Sequence, residues 1–101
     1  MDDFTRLFVL SEEFARGTRK KVLLNERLES LGRVYDVLLK IKNEVPEVGH
    51  SPLFGYIDAR MENFMDLDLL DPDEFLDHIH NFVFEWRRVC IPINGMQTHI
   101  S

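Results

Sequence analysis

The chain is short of basic charge and cysteine and has no long apolar run, and each shortage excludes something. Its 101 residues carry 12 Lys and Arg against 18 Asp and Glu, for a formal net charge of −6. Binding to duplex nucleic acid rests on neutralising phosphates, so no direct nucleic-acid contact is expected. The lone Cys90 excludes an intrachain disulfide framework and fits a reducing compartment. No apolar stretch approaches the roughly 20 residues that a membrane helix needs. The opening MDDFTRLF is acidic and lacks the apolar core of a signal peptide. The expected setting is therefore the cytoplasm, with no membrane contact. There is no internal repeat, and no segment alternates as a strand would. A glycine-rich phosphate loop, a nucleophile elbow, a Cys–His pairing and a His-Glu-x-x-His motif are all missing. Neither an enzyme nor a cofactor is expected.

What is present is helical periodicity in a chain 45% hydrophobic and 11% aromatic, enough to build one domain over residues 1–101. The first helix is read over 3–17, with Phe4, Leu7, Phe8 and Phe14 on one face, Asp2 or Asp3 as cap and Gly17 as a left-handed stop. The second spans 18–44. Leu24, Leu28, Leu31, Tyr35 and Leu38 repeat at alternating four- and three-residue steps, and Val34, Val37 and Ile41 widen the stripe. Glu29–Arg33 and Asp36–Lys40 lie four apart, and Gly32 is read as a point of close helix approach. Val45-Pro46 ends this helix, residues 46–51 form a loop, and Ser51-Pro52 restarts the chain. The third helix, 52–68, buries Phe54, Ile57, Met61, Phe64 and Met65. Asp71-Pro72-Asp73-Glu74 combines a cap, a first-position proline and an acidic third position, so the fourth helix runs 72–90. Phe75, Ile79, Phe82, Trp86 and Val89 point it inward; if they fill the core, Phe84 and Tyr56 are left partly exposed, with core packing the default for each ring. Ile91-Pro92 closes the helix, and a short tail with an Asn-Gly turn follows. The fold class is all-α, an antiparallel bundle of about four helices.

Charge is unevenly placed. Residues 1–42 hold nine basic and seven acidic side chains, and residues 43–101 hold three basic and eleven acidic ones. The acidic excess peaks between Asp58 and Asp77. Asp71, Asp73 and Glu74 have a local reason, because negative charge stabilises a helix start. Asp58, Glu62 and Asp66, spaced by four, repel one another along one helix face, with Asp68 beyond them. That stripe, with Asp73 and Asp77, is the candidate docking surface for a basic protein. Such a partner is a toxin nuclease or a nucleic-acid-binding complex. The competing reading is a solvated face that keeps the protein soluble.

The one basic cluster, Arg16, Arg19, Lys20 and Lys21, sits at the expected start of the second helix, where cations oppose the macrodipole. It is the candidate anion site of an alternative reading, a homo-oligomer that binds a small anionic or nucleotide ligand. Pairing with the acidic segment, within the chain or in a homodimer, is the other use. Glu74 and His78 share a helix face, and Asp66-x-Asp68 begins like a calcium loop but fails at Leu70, Asp71 and Asp77. No metal site is assigned, and His78 and His80 are read as surface histidines paired with Glu74 and Asp77.

The segment FTRLFVLSEEFARG, and the stretch from SPLFGYIDARMENF through LDLLDPDEFLDHIHNFVFEW, resemble small bacterial immunity proteins of the colicin D immunity kind. About half the chain shares the pattern, and the long second helix and the Asn-Gly tail depart from it. The resemblance implies an acidic helical bundle that binds and neutralises a basic toxin nuclease. No functional residue is carried over. The expectation is a non-enzymatic inhibitor, of the immunity, antitoxin or phage anti-defence type.

Overall fold

Four α-helices, joined by two short 3-10 turns and one tight linker, make up the structure, a computed structural model that describes residues 2–100. The side chains of residues 64–66 and 89–100 are not described. Helix α1 is Asp3–Arg19, α2 Leu24–Glu44, α3 Pro52–Glu62 and α4 Pro72–Ile100. The 3-10 turns are Pro46–His50 and Phe64–Leu69.

The caps follow from the sequence. Asp2 Oδ1 accepts the Thr5 amide at 2.8 Å, Ser51 Oγ accepts that of Leu53 at 3.4 Å, and Asp71 Oδ1 accepts that of Asp73 at 2.9 Å. Each satisfies an amide with no partner inside its helix.

The first linker departs from expectation. Gly17 lies inside α1, and the left-handed residue is Lys21, with φ of 55°. The Lys21 amide donates to the Thr18 carbonyl and the Val22 amide to that of Gly17, the bond pair of a Schellman cap. Gly17 serves the third position of that cap, where a Cβ would lie 3.3 Å from Val22 Cγ2. The glycine makes room for the returning chain rather than for an unusual φ. Residues 18–23 are therefore the end of α1 and the linker, not the start of α2.

Ring contacts show how the helices run. Phe4 meets Phe82 and Phe14 meets Phe75, so α1 and α4 are antiparallel. Asp3 pairs with Lys40 at 3.3 Å, so α1 and α2 are too. Lys42 stands over Phe54 while Arg27 reaches Asp68, which sets α2 against α3 and the turn after it. Phe54 and Tyr56 meet Phe82 and Phe75, which sets α3 against α4. The result is an up-down-up-down bundle with short loops.

One core joins all four helices. Phe4, Leu7 and Phe14 from α1, Leu31, Val34, Val37, Leu38 and Ile41 from α2, Leu53, Phe54 and Ile57 from α3, and Phe75, Ile79, Phe82 and Val83 from α4 are buried. Each large side chain so buried contributes about 1.5–3 kcal/mol. Val48 and Leu67 from the two turns, and Leu70 just after the second, are buried with them.

Several local expectations are corrected. α3 stops at Glu62, and Met61, expected inside, is 38% exposed. Phe64, Met65 and Val89, also expected inside, lie outside the described side chains. A Cβ at Gly32 would meet nothing within 4 Å, so no helix approaches there. Lys40 reaches Asp3 of α1 rather than Asp36, and no ion pair joins Glu29 to Arg33 among the described residues. α4 runs on through Pro92 and Gly95 to Ile100, where a stop and an Asn-Gly turn were expected. An internal proline removes one helical donor and crowds the preceding turn.

Candidate functional site

The acidic segment spans the end of α3, the second 3-10 turn and the start of α4. Because α3 ends at Glu62, the Asp58–Glu62–Asp66 series is not a continuous helical stripe: Asp66 falls in the turn. Its side chain lies outside the described residues.

Two of the six carboxylates singled out from sequence, Asp68 and Asp73, already have ion-pair partners inside the bundle, and a third, Asp58, has a phenol beside it. Asp58 lies near the Tyr35 hydroxyl of α2. Burial first, and then the neighbouring Asp58 carboxylate, push the Tyr35 phenol above its ordinary range. Asp68 Oδ1 accepts from Arg27 Nη2 at 3.1 Å. The Arg27 side chain is only 11% exposed and also donates from Nε to the Val22 carbonyl at 3.1 Å. A single guanidinium thus ties the first linker to the second turn. Asp73 pairs with Arg19 at the surface, both side chains being at least half exposed.

Beside these lies a second cluster. The Tyr56 ring stacks with His78 at 4.1 Å, and the Arg60 guanidinium carbon sits 3.9 Å from the Tyr56 centroid. His78 Nε2 is 3.9 Å from Glu74 Oε1, the expected pairing. His80 differs from expectation: its ring meets Phe8 of α1 edge-on at 5.0 Å rather than pairing with Asp77. The Tyr56 phenol is also raised, chiefly by burial. Arg60 opposes that shift, and Glu74 and Asp71 add to it.

Once these contacts are assigned, Glu62 and Asp77 are exposed and make no ion pair or side-chain hydrogen bond among the described residues. Close to them in sequence lies a feature that charge counting overlooks. Leu69 is 84% exposed, while Leu67 and Leu70 on either side are buried. Met61 precedes Glu62 and is also exposed. The segment thus offers apolar side chains among carboxylates, the arrangement of an apolar centre with a charged rim. Hydrophobic residues read by helical period look like core, so a leucine turned outward by a 3-10 turn gives no local signal.

The basic cluster lies elsewhere than expected. Arg16 and Arg19 occupy the last turn of α1, and Lys20 and Lys21 follow in the linker. Cations there face the negative end of the helix dipole, so the cluster has a structural reason. Carbonyls, not amides, point from a helix C-terminus, which suits an anion poorly. Among the described residues no three His, Cys, Asp or Glu side chains converge as a metal site, and no helix is long and apolar enough to cross a membrane. Comparison with protein-family models, curated proteins and solved structures found no match.

Proposed function

We propose that this protein is a non-enzymatic, inhibitor-type module that docks a basic protein. The docking surface is the acidic face formed by the end of α3, the second 3-10 turn and the start of α4. The observation that carries the reading is Leu69, 84% exposed between Asp68 and Asp71. An exposed apolar anchor supplies affinity by desolvation, and surrounding carboxylates select a basic partner and speed its approach. Glu62 and Asp77 are the carboxylates most available to such a partner, because Asp68 and Asp73 are held in ion pairs and Asp58 lies beside the Tyr35 hydroxyl. The partner class is a basic nuclease or nucleic-acid-binding protein, in keeping with the resemblance to colicin D-type immunity proteins.

The test is affinity capture from the native cells with quantitative mass spectrometry, followed by titration of the partner found. Leu69→Ser and Glu62→Lys should each weaken binding about tenfold or more. High salt should slow association. A partner that binds both variants as tightly as the unmodified protein would sink the proposal.

A further inference from the structure

Helix α4 carries a second unpartnered surface. Its buried residues Phe75, Ile79, Phe82 and Val83 define the inner face. The opposite face presents Asp77, Asn81, Phe84 and Arg88, all exposed and separated by four, three and four residues. That spacing keeps the four in one line along an α-helix. Phe84 is 68% exposed, and the Arg88 guanidinium carbon lies 4.7 Å from its ring centroid. Beside the line, toward α1, an open hollow of about 640 Å³ is lined by Phe8, His80, Val83 and Arg87 as well as by Phe84 and Arg88.

The line is acidic at one end, basic at the other and aromatic between, and its spacing reads the same in both directions. When two such helices lie antiparallel, with a two-fold axis midway between Asn81 and Phe84, Asp77 faces Arg88 of the second copy. Asn81 then faces Phe84. The other half of the contact repeats these pairs, as an isologous interface requires. Each Phe84 ring would then lie beside the mouth of the other copy's hollow, near Phe8. Among the described residues Asp77 and Arg88 make no ion pair within their own chain.

We propose that the outer face of α4 is a self-complementary docking surface for a second copy of this chain, forming an antiparallel two-fold dimer through two Asp77–Arg88 pairs around two Phe84 rings. The basis is charge complementarity along one helix line; Asp77 is the one side chain it shares with the acidic face, so a second copy and a basic partner would compete for it.

Light scattering after size exclusion tests it over a range of concentrations. The unmodified protein should approach twice its monomer mass of 12.0 kDa as concentration rises, and salt should lower the dimer fraction. Asp77→Arg puts arginine against arginine twice, and Arg88→Asp puts aspartate against aspartate twice. Each variant alone should dimerise at least about tenfold more weakly. Mixed in equal amounts, the two restore opposite charge at both contacts and should associate with each other as the unmodified chain does. Both should keep helical circular dichroism, since these side chains are outside the core. A protein that stays monomeric throughout overturns the proposal. So does a dimer indifferent to either reversal, or a mixture that fails to rescue.

Discussion

Ser11 shows what single side chains contribute. It is fully buried on α1, and its Oγ has no hydrogen-bond partner among the described residues. A buried hydroxyl without a partner bears its desolvation cost uncompensated. Ser11→Ala should therefore raise stability by about 1 kcal/mol, read as a higher urea midpoint with unchanged slope. The two arginine–aspartate pairs should differ in the other direction. Arg27 is largely buried and bonds both Asp68 and the Val22 carbonyl, whereas Arg19 and Asp73 meet in solvent. Arg27→Ala should cost about 1–2 kcal/mol and Arg19→Ala less than about 0.5 kcal/mol. Chemical denaturation of the two variants side by side checks the order. Equal losses would mean that the Arg27 contacts add nothing beyond a surface pair.

At the scale of elements, helix identity was readable and several helix ends were not. The 4-3 stripe of α2 and the Asp71-Pro72 start of α4 carry their own local reasons. The end of α1 does not, because Gly17 is a better left-handed residue than Lys21 by propensity. The chain nevertheless places Lys21 there, with φ of 55°, and Val22 comes back close over Gly17, where a Cβ would lie 3.3 Å from its Cγ2. Two glycine-related changes should therefore help. Lys21→Gly relieves the left-handed backbone, and Gly32→Ala adds helix propensity in α2 where a Cβ meets nothing. Each should raise stability by about 0.5–1 kcal/mol, visible as a higher melting temperature. Loss of stability in Gly32→Ala would show that the position has a packing role after all.

For the molecule as a whole, both tyrosines link the bundle to pH. Tyr35 and Tyr56 are the only two in the chain, and burial raises both. A phenol whose folded pKa lies above its unfolded value of about 10 holds its proton longer when folded. Its contribution is fully present below pH 10 and is lost as pH rises through the folded value. Unfolding free energy should thus decline above about pH 10, with phenolate absorbance appearing later in the folded protein than in urea. Tyr35→Phe should reduce that decline, because the remaining linkage comes from Tyr56 alone. Phenolate appearing at the same pH in the folded and the unfolded chain would contradict the burial of both rings.

Much of the architecture needed only the sequence. Apolar side chains recurring with helical period at Leu31, Val34, Leu38 and Ile41, or at Phe75, Ile79 and Phe82, must be buried together, and short loops leave an antiparallel bundle as the simple way to do it. Caps at Asp2, Ser51 and Asp71 are local events between neighbours in the chain, so they too were readable. The fate of the carboxylates was not. Whether Asp58, Asp68 or Asp73 stands free depends on Tyr35, Arg27 and Arg19, which are 23, 41 and 54 residues away along the chain. Charge patterning counts carboxylates but cannot see which cation folding brings beside each one. The same holds for Leu69: it looks like core by composition, and only the 3-10 turn exposes it. Tertiary structure thus moved the candidate surface from a row of like charges to apolar side chains rimmed by the few carboxylates that folding leaves unpaired.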